Sequence, residues 1–162
     1  MLIKGRYRVR VARTPEDLAR AQALRALCFG QGRDGDPLDA RCIHMLVEEN
    51  DSGALVCCFR LQPLRAAELD QSYAAQFYDL SALAAYSGLM MEMGRFCIDP
   101  ARRDPDILRL AWAAMTQQVD DLGVELLFGC SSFEGVDPAA YQEAFALLAR
   151  AHLAPQAWQP AR

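Results

Sequence analysis

The sequence predicts a single α/β domain whose mixed β-sheet is flanked by helices. Strand-length apolar runs are interspersed with segments of helical periodicity, and in the second half of the chain strands and helices alternate one by one. This alternation favours parallel pairing of neighbouring strands, because a parallel connection needs a crossover. A chain of 162 residues with 52% apolar and 23% charged residues matches one ordinary globular core.

The chain opens with an amphipathic strand and a helix. Between Arg6 and Ala12 a tyrosine and two valines alternate with arginines, which is the period of a strand with one buried face. Thr14 then supplies an N-cap hydroxyl, and Pro15 fits the first helical turn. Apolar residues at helical spacing follow, so we expect the first helix to end near Cys28.

A loop, a hairpin and an ambiguous segment come next. Residues 30–39 are rich in glycine and aspartate, which predicts a mobile loop and a candidate lid. The β-rich runs 43–48 and 54–61 are separated by turn-forming residues and predict a hairpin. Residues 66–88 have helical propensity without a clear period, and 80–85 is their most helical part.

The second half reads as strand, helix, strand, helix. Residues 89–98 form a buried strand that Gly94 interrupts, and a strand glycine often marks a bulge. Residues 104–123 begin with an Asp-Pro-Asp helix start and end at a glycine. We expect a further apolar strand over 124–130 and a helix over 137–152, with Phe145 and Leu148 facing inward.

Composition and charge exclude several classes of function. The formal net charge is -4 and there is no basic run, which argues against nucleic-acid binding. No stretch approaches the ~20 apolar residues of a spanning helix, and the start has no apolar export segment, so we expect a cytoplasmic protein. The six cysteines lack a C-x-x-C pair, which favours reduced thiols and predicts no metal site.

Several motifs in order resemble one family. They are Met91–Pro100, Asp106–Trp112 and Phe128–Ser132, with Arg25–Phe29, Asp39–His44, Tyr73–Leu80 and His152–Pro155 around them. Together they look like the core of the ornithine lipid-forming N-acyltransferases of the GNAT superfamily. A weaker similarity, without an expected loop tryptophan, links the chain to the acyl-homoserine lactone autoinducer synthases.

The resemblance implies a GNAT-like fold and a reaction. A (3-hydroxy)acyl group would move from an acyl carrier protein thioester, or from acyl-CoA, to the α-amine of ornithine and form lyso-ornithine lipid. The lipid product implies contact with a membrane surface. Family members continue well beyond residue 162, so we expect a C-terminally truncated domain that lacks its last strands. The alternatives are an autoinducer synthase and an inactive module that binds acyl carrier protein.

Glu92 and Arg95 are the candidate catalytic residues. Glu92 lies in an apolar strand, where an unpaired carboxylate has a raised pKa and can take a proton from an ammonium group. In the alternative, Glu92 is a structural partner of Arg95 or Arg25. The resemblance also assigns four residues to the acceptor site or lid: Arg25, Phe29, Asp34 and Asp36.

The donor site is expected along the same strand and the following loop. The resemblance implies that Gly94, Phe96, Cys97 and Ile98 bind the pantetheine arm through their backbone. Where CoA-dependent relatives have a glycine-rich pyrophosphate loop, this chain has Arg102-Arg103-Asp104-Pro105-Asp106. The aspartates would repel a pyrophosphate at that helix start, whereas the arginines suit the acidic surface of acyl carrier protein.

Overall fold

Six strands form one sheet in the order in which they occur in the chain. The computed structural model describes residues 1–30, 32, 34–133 and 135–161. The strands are β1 (Leu2–Lys4), β2 (Tyr7–Val11), β3 (Ile43–Glu49), β4 (Leu55–Leu64), β5 (Leu89–Ile98) and β6 (Val124–Phe128). All neighbouring pairs are antiparallel except β5 and β6, which are parallel. The predicted mixed α/β sheet is therefore confirmed.

Among the described residues, three α-helices accompany the sheet: α1 (Pro15–Phe29), α2 (Pro105–Leu122) and α3 (Gln142–Ala151). Thr14 caps α1 by accepting a hydrogen bond from the Asp17 amide, and the Asp104 carboxylate caps α2. Gly30 and Gly123 end these two helices in the left-handed conformation, which glycine adopts without strain. The ends of both helices are thus encoded locally, as the sequence predicts.

The helices cover opposite faces of the sheet. On one face, Val47 and Phe59 belong to the apolar cluster that includes Ile107 and Ala111 of α2. On the other face, Leu46 and Cys58 pack with α1. Since alternate residues of a strand point to opposite faces, β3 and β4 are buried on both sides, which explains why their sequences are apolar almost throughout.

Some local predictions differ from the structure. Residues 66–88 contain three short 3₁₀ turns (Ala66–Gln71, Ala74–Gln76 and Ser81–Ala85). The short first strand β1 is absent from the sequence prediction. Phe145 does not face the sheet: it contacts Phe133 with ring centroids 5.0 Å apart, and α3 has no fully buried residue. None of the helices in the described part of the chain is long and apolar enough to cross a membrane.

Candidate active site

The parallel strands β5 and β6 separate halfway along β5. Their last paired residues are Glu92 and Phe128, whereas β5 continues to Ile98. At the point of separation, a Cβ on Gly129 would collide with the carbonyl oxygen of Met93, so only glycine permits this close approach. Beyond it the two strands leave an opening between them.

A bulge in β5 turns Arg95 toward this opening. In the pairing of β4 with β5, Cys58 lies opposite Cys97 and Arg60 lies opposite Gly94. Two residues of β5, Arg95 and Phe96, therefore face one residue of β4. Arg95 has φ 53°, a left-handed conformation that is uncommon for a residue with a side chain. The predicted bulge exists, but its unusual backbone is at Arg95 and not at Gly94.

Three cavities meet at the opening. A polar cavity of about 260 Å³ is lined by Phe29, Arg60, Tyr73, Met93, Gly94, Arg95, Cys130 and Ser132. A second, of about 400 Å³, extends past Phe96 to Leu108 and Trp112 on α2. A third, of about 880 Å³, is mainly apolar and lies between β6 and residues 74–86. Cys130 lines all three, so a group beside it is accessible from each.

Three arginines and three aspartates form a network beside the polar cavity, which we call the site cluster: Arg25, Asp34, Asp36, Asp39, Arg60 and Arg95. Arg25 is only 1% exposed. Its Nε donates to Asp34 at 2.8 Å, and its two Nη atoms donate to Asp39 at 2.9 and 2.8 Å. Arg25, expected at the acceptor site, therefore anchors the loop that follows α1.

The part of the predicted lid from Asp34 to Asp39 is held by the site cluster. Asp36 accepts a hydrogen bond from Arg60 at 2.8 Å, and Asp39 accepts another from the same guanidinium at 2.8 Å. Burial raises the pKa of Asp39, but its hydrogen bonds, first that from Arg25, outweigh burial and leave this pKa well below its usual value. Gln31 and Arg33, also in the predicted lid, lie outside the described residues.

Arg95 forms longer ion pairs with the aspartates than Arg25 and Arg60 do. Its Nη2 lies 3.4 Å from Asp34 and 3.5 Å from Asp36. Its guanidinium carbon lies 5.7 Å from the ring centre of Phe29 and 5.3 Å from that of Tyr73, which is within the range of cation–π attraction. No described residue accepts a hydrogen bond from its buried Nε.

Glu92 is buried and forms no ion pair with any residue that the structure describes. It is 4% exposed, and its two carboxylate oxygens accept hydrogen bonds from the backbone N–H groups of Tyr73 and Ala74, both at 2.7 Å. The alternative pairing with Arg25 or Arg95 is not seen, since those two side chains contact aspartates. Burial raises the pKa of Glu92, and the two backbone N–H groups offset this only in part.

The predicted donor residues divide into two groups. Gly94 and Phe96 line the cavity that reaches α2, whereas the side chains of Cys97 and Ile98 pack into the core. Arg102 forms an ion pair with Glu49 at 3.5 Å, and Arg103 is exposed. Since the opening leaves β5 without a strand partner on the β6 side from Met93 onward, its backbone remains a candidate for contacts with a donor.

Carboxylates of the chain itself occupy the start of α2. Asp104 accepts a hydrogen bond from the Asp106 amide at 3.0 Å, and Asp106 pairs with Lys4 and Arg109 at 3.4 and 2.9 Å. The Asp106 amide holds the pKa of Asp104 below its usual value, and Arg109 does the same for Asp106. Both are therefore anionic at neutral pH, where a pyrophosphate would need donors.

The sequence patterns assign no individual role to Arg60, Tyr73 or Gly129, although the last two lie within motifs that carry the family resemblance. Arg60 is a charged residue within an apolar strand, which is the same signal that identifies Glu92. The sequence therefore contains a pattern that indicates Arg60. The roles of Tyr73 and Gly129 depend on contacts with β5 that no local pattern indicates. Burial raises the pKa of the Cys130 thiol, with a smaller contribution from the charge of Glu92.

Comparisons with known proteins identify the family of the chain. Residues 19–113 match the family model described as an acetyltransferase (GNAT) domain. An L-ornithine N(alpha)-acyltransferase of Rhodobacter capsulatus is 31% identical over 95% of this chain and 67% of its own length. One of Agrobacterium fabrum is 28% identical over 96% of this chain and 60% of its own length. The chain thus spans about two thirds or less of these relatives.

Two further similarities are more distant. An acyl-homoserine-lactone synthase of Agrobacterium fabrum is 33% identical over 58% of this chain and 50% of its own length. FeeM, an N-acyl amino acid synthase from uncultured soil microbes, has a similar structure, with a TM-score of 0.58 and 16% identity over 88% of this chain and 77% of FeeM. This structural similarity supports the fold alone. With its mixed sheet, the separation of β5 from β6 and the matched family model, the chain belongs to the GNAT family of acyltransferases.

Proposed function

We propose that this chain is an N-acyltransferase that moves a 3-hydroxyacyl group from an acyl carrier protein thioester to the α-amine of ornithine, forming lyso-ornithine lipid. The observation that carries the proposal is the meeting of cavities of opposite character at Cys130. An arginine-lined cavity suits a charged amino acid, and a mainly apolar cavity of about 880 Å³ suits a long acyl chain. The names of the relatives supply ornithine as the first acceptor to test.

In this reaction the amine nitrogen attacks the thioester carbonyl carbon. The C–N bond forms, the C–S bond breaks, the nitrogen loses a proton and the leaving thiolate takes one up. Glu92 is the proposed base, because burial raises its pKa toward that of an ammonium group. Its carboxylate accepts hydrogen bonds from the backbone of Tyr73 and Ala74, which line the polar and the apolar cavity respectively, and this supports a role close to the point where the cavities meet.

The donor is proposed to be a carrier protein. Asp104 and Asp106 put negative charge at the start of α2, where a pyrophosphate would be repelled. The pantetheine arm would lie along the backbone of β5 near Gly94 and Phe96, and Arg102 and Arg103 would face the acidic carrier. Calorimetry tests this: tight binding of free coenzyme A, with weak binding of the phosphopantetheinyl carrier, would contradict the proposal.

A second candidate is an autoinducer synthase, which the 33% identity to an acyl-homoserine-lactone synthase favours. The two reactions differ in their acceptor, because the synthase reaction needs S-adenosylmethionine and closes a lactone. Mass spectrometry of the products made from a 3-hydroxyacyl carrier thioester and a panel of acceptors separates them. N-acylornithine supports the first proposal, an acyl lactone supports the second, and release of free fatty acid alone contradicts both.

Glu92→Gln tests the proposed base. Per folded molecule, we expect the rate to fall by about 10²- to 10⁴-fold, which is the usual contribution of a positioned general base. The loss should shrink as the pH approaches the pKa of the amine, since solvent then removes the proton. Glu143→Gln, at an exposed position on α3, is the matched control and should be fully active. Unchanged turnover by folded Glu92→Gln would refute the role.

A further inference from the structure

Arg95 has a hydrogen-bond donor, its Nε, that no described residue of the protein uses. Its ion pairs at 3.4 and 3.5 Å are with aspartates that already accept shorter bonds of 2.8 Å from Arg25 and Arg60. Its buried Nε has no acceptor among the described residues. Buried donors without partners are uncommon in native proteins, so this guanidinium is suited to an anion that arrives from outside.

The polar cavity is suited to a small anion. Besides Arg95, its lining includes Arg60, Tyr73 and Ser132, and no Asp or Glu is among the described residues that line it. Its volume of about 260 Å³ is below the roughly 300 Å³ at which pockets for drug-sized ligands begin. A free amino acid therefore fits this cavity better than a peptide or a nucleotide does.

The backbone and two aromatic rings fix the direction of Arg95. Its left-handed φ of 53° is held by the bulge opposite Phe59, and Phe29 and Tyr73 lie within 5.7 and 5.3 Å of the guanidinium carbon. Strained residues persist where the surrounding structure requires them, often at ligand sites. The planar edge of a guanidinium matches a carboxylate through two parallel hydrogen bonds.

We propose that Arg95 binds the α-carboxylate of the acceptor amino acid and thereby directs its α-amine toward Cys130, where the cavities meet. This inference rests on the proposed function, because it names how the acceptor of that reaction is recognised. The anion could also be the phosphate of the pantetheine arm. We assign the carboxylate because the second cavity, toward Leu108 and Trp112 on α2, offers the arm a separate path.

The first test uses the unaltered protein and varies the ligand. Ornithine, ornithine methyl ester and putrescine are compared for binding by calorimetry and as acceptors with an acyl carrier thioester. We expect ornithine to bind at least 10-fold more tightly than the ester or putrescine, since both lack the carboxylate. Equal binding of the three would overturn the inference. Preferential binding of ornithine without any acyl transfer would support the inference and count against the proposed function.

The second test varies Arg95. We expect Arg95→Gln to raise the KM for ornithine by about 10- to 100-fold, as loss of a charged hydrogen-bonded pair does, and to abolish the preference over the methyl ester. Arg95→Lys should recover part of it, because the charge remains but the paired donors do not. Arg13→Gln removes an exposed arginine and should behave like the unaltered protein.

The KM for the acyl donor distinguishes the two candidate anions, the carboxylate of the acceptor and the phosphate of the pantetheine arm. The KM for the acyl carrier thioester should stay unchanged in Arg95→Gln if the residue binds the acceptor. A raised KM for the donor with an unchanged KM for ornithine would overturn the inference in favour of the phosphate. Circular dichroism confirms folding of each variant, and if Arg95→Gln fails to fold, the comparison of the three ligands decides alone.

Discussion

Two glutamates lie equally deep in this molecule, and their surroundings differ. Glu48 on β3 is 1% exposed and accepts hydrogen bonds from Arg8, Arg10 and Arg20. Glu92 on β5 is 4% exposed and is bonded only by two backbone N–H groups among the described residues. Burial raises both pKa values, but the three arginines lower that of Glu48 to about 2, whereas that of Glu92 stays raised.

The comparison shows that burial of an acid does not by itself indicate a functional site. Glu48 has more positive partners than it can neutralise, so its charge holds β2, β3 and α1 together. Glu92 has no positive partner in direct contact within the described part of the chain, and it lies next to the cavities. A buried carboxylate with a raised pKa and an adjacent cavity is the arrangement expected of a base. The counter-charge therefore separates the structural glutamate from the candidate catalytic one.

The largest loss of stability is expected from Glu48→Gln. The substitution leaves Arg8, Arg10 and Arg20 around a neutral amide. Breaking a fully buried ion pair from one side costs about 3 kcal/mol or more, but these arginines are 27 to 39% exposed, so we expect roughly 2 kcal/mol. Chemical denaturation with Glu143→Gln as the control measures this loss. Acyl transfer per folded molecule should not change, because Glu48 is bonded by arginines of β2 and α1, whereas Glu92 is bonded by the backbone of two residues that line the cavities. A loss below about 0.5 kcal/mol would show that the arginines are satisfied by water.

A smaller loss, of about 1 kcal/mol, is expected from Glu92→Gln. The amide oxygen can accept one backbone N–H, but its NH₂ group then faces the other, so one buried donor loses its acceptor. Removing a buried charge offsets part of this cost. The same denaturation experiment measures the difference between the two glutamine variants. Equal losses would show that the arginine partners of Glu48 do not make its charge more important for stability than that of Glu92.

Acid should change the contributions of the two glutamates to the stability of the protein in opposite directions. The folded-state pKa of Glu48 is depressed from 4.5 to about 2, so its stabilisation is present above pH 4.5 and is lost as the pH falls toward 2. The pKa of Glu92 is raised above 4.5, so its contribution is largest below 4.5 and is lost as the pH rises through its folded-state value.

Denaturation between pH 3 and 7 tests this expectation. The stability difference between the unaltered protein and Glu48→Gln should narrow with acid. As the pH falls over the same range, the unaltered protein should gain stability relative to Glu92→Gln. If both differences change in the same direction, Glu92 has an anionic role that its surroundings do not indicate.

Much of the fold could be predicted from the sequence because its signals are local. Thr14 and Asp104 mark helix starts, and Gly123 marks a helix end. An alternating pattern identifies β2, and β-rich or apolar runs identify β3 to β6. Within the candidate site, Glu92 stands out in the sequence as a charge in an apolar run, and Arg60 carries the same signal. The separation of β5 from β6 at Gly129 depends on two segments far apart in the chain, and no local pattern encodes it.

The bulge in β5 shows, at a single residue, that local sequence patterns do not determine how two strands pair. A strand glycine predicts a bulge near Gly94, yet the left-handed residue is Arg95, because the register with β4 places Arg95 and Phe96 opposite Phe59. Register follows from non-local pairing. The most specific feature of the site is therefore one that contradicts the local preference of its own residue.

The smallest expected effect concerns this strain and compares Arg95→Gly with Arg95→Ala. Both remove the guanidinium, so both should lose the preference for ornithine over its methyl ester. They differ only in the Cβ, which at φ 53° costs about 1 kcal/mol relative to glycine. We therefore expect Arg95→Gly to be more stable than Arg95→Ala by about this amount in chemical denaturation. It should lie within about 1 kcal/mol of the unaltered protein, because the ion pairs of Arg95 are long and its aspartate partners keep Arg25 and Arg60.

Equal stability of the two variants would mean that the bulge relaxes once the guanidinium is gone. The left-handed backbone would then follow from the contacts of Arg95 and would not be imposed by the register of β4 and β5.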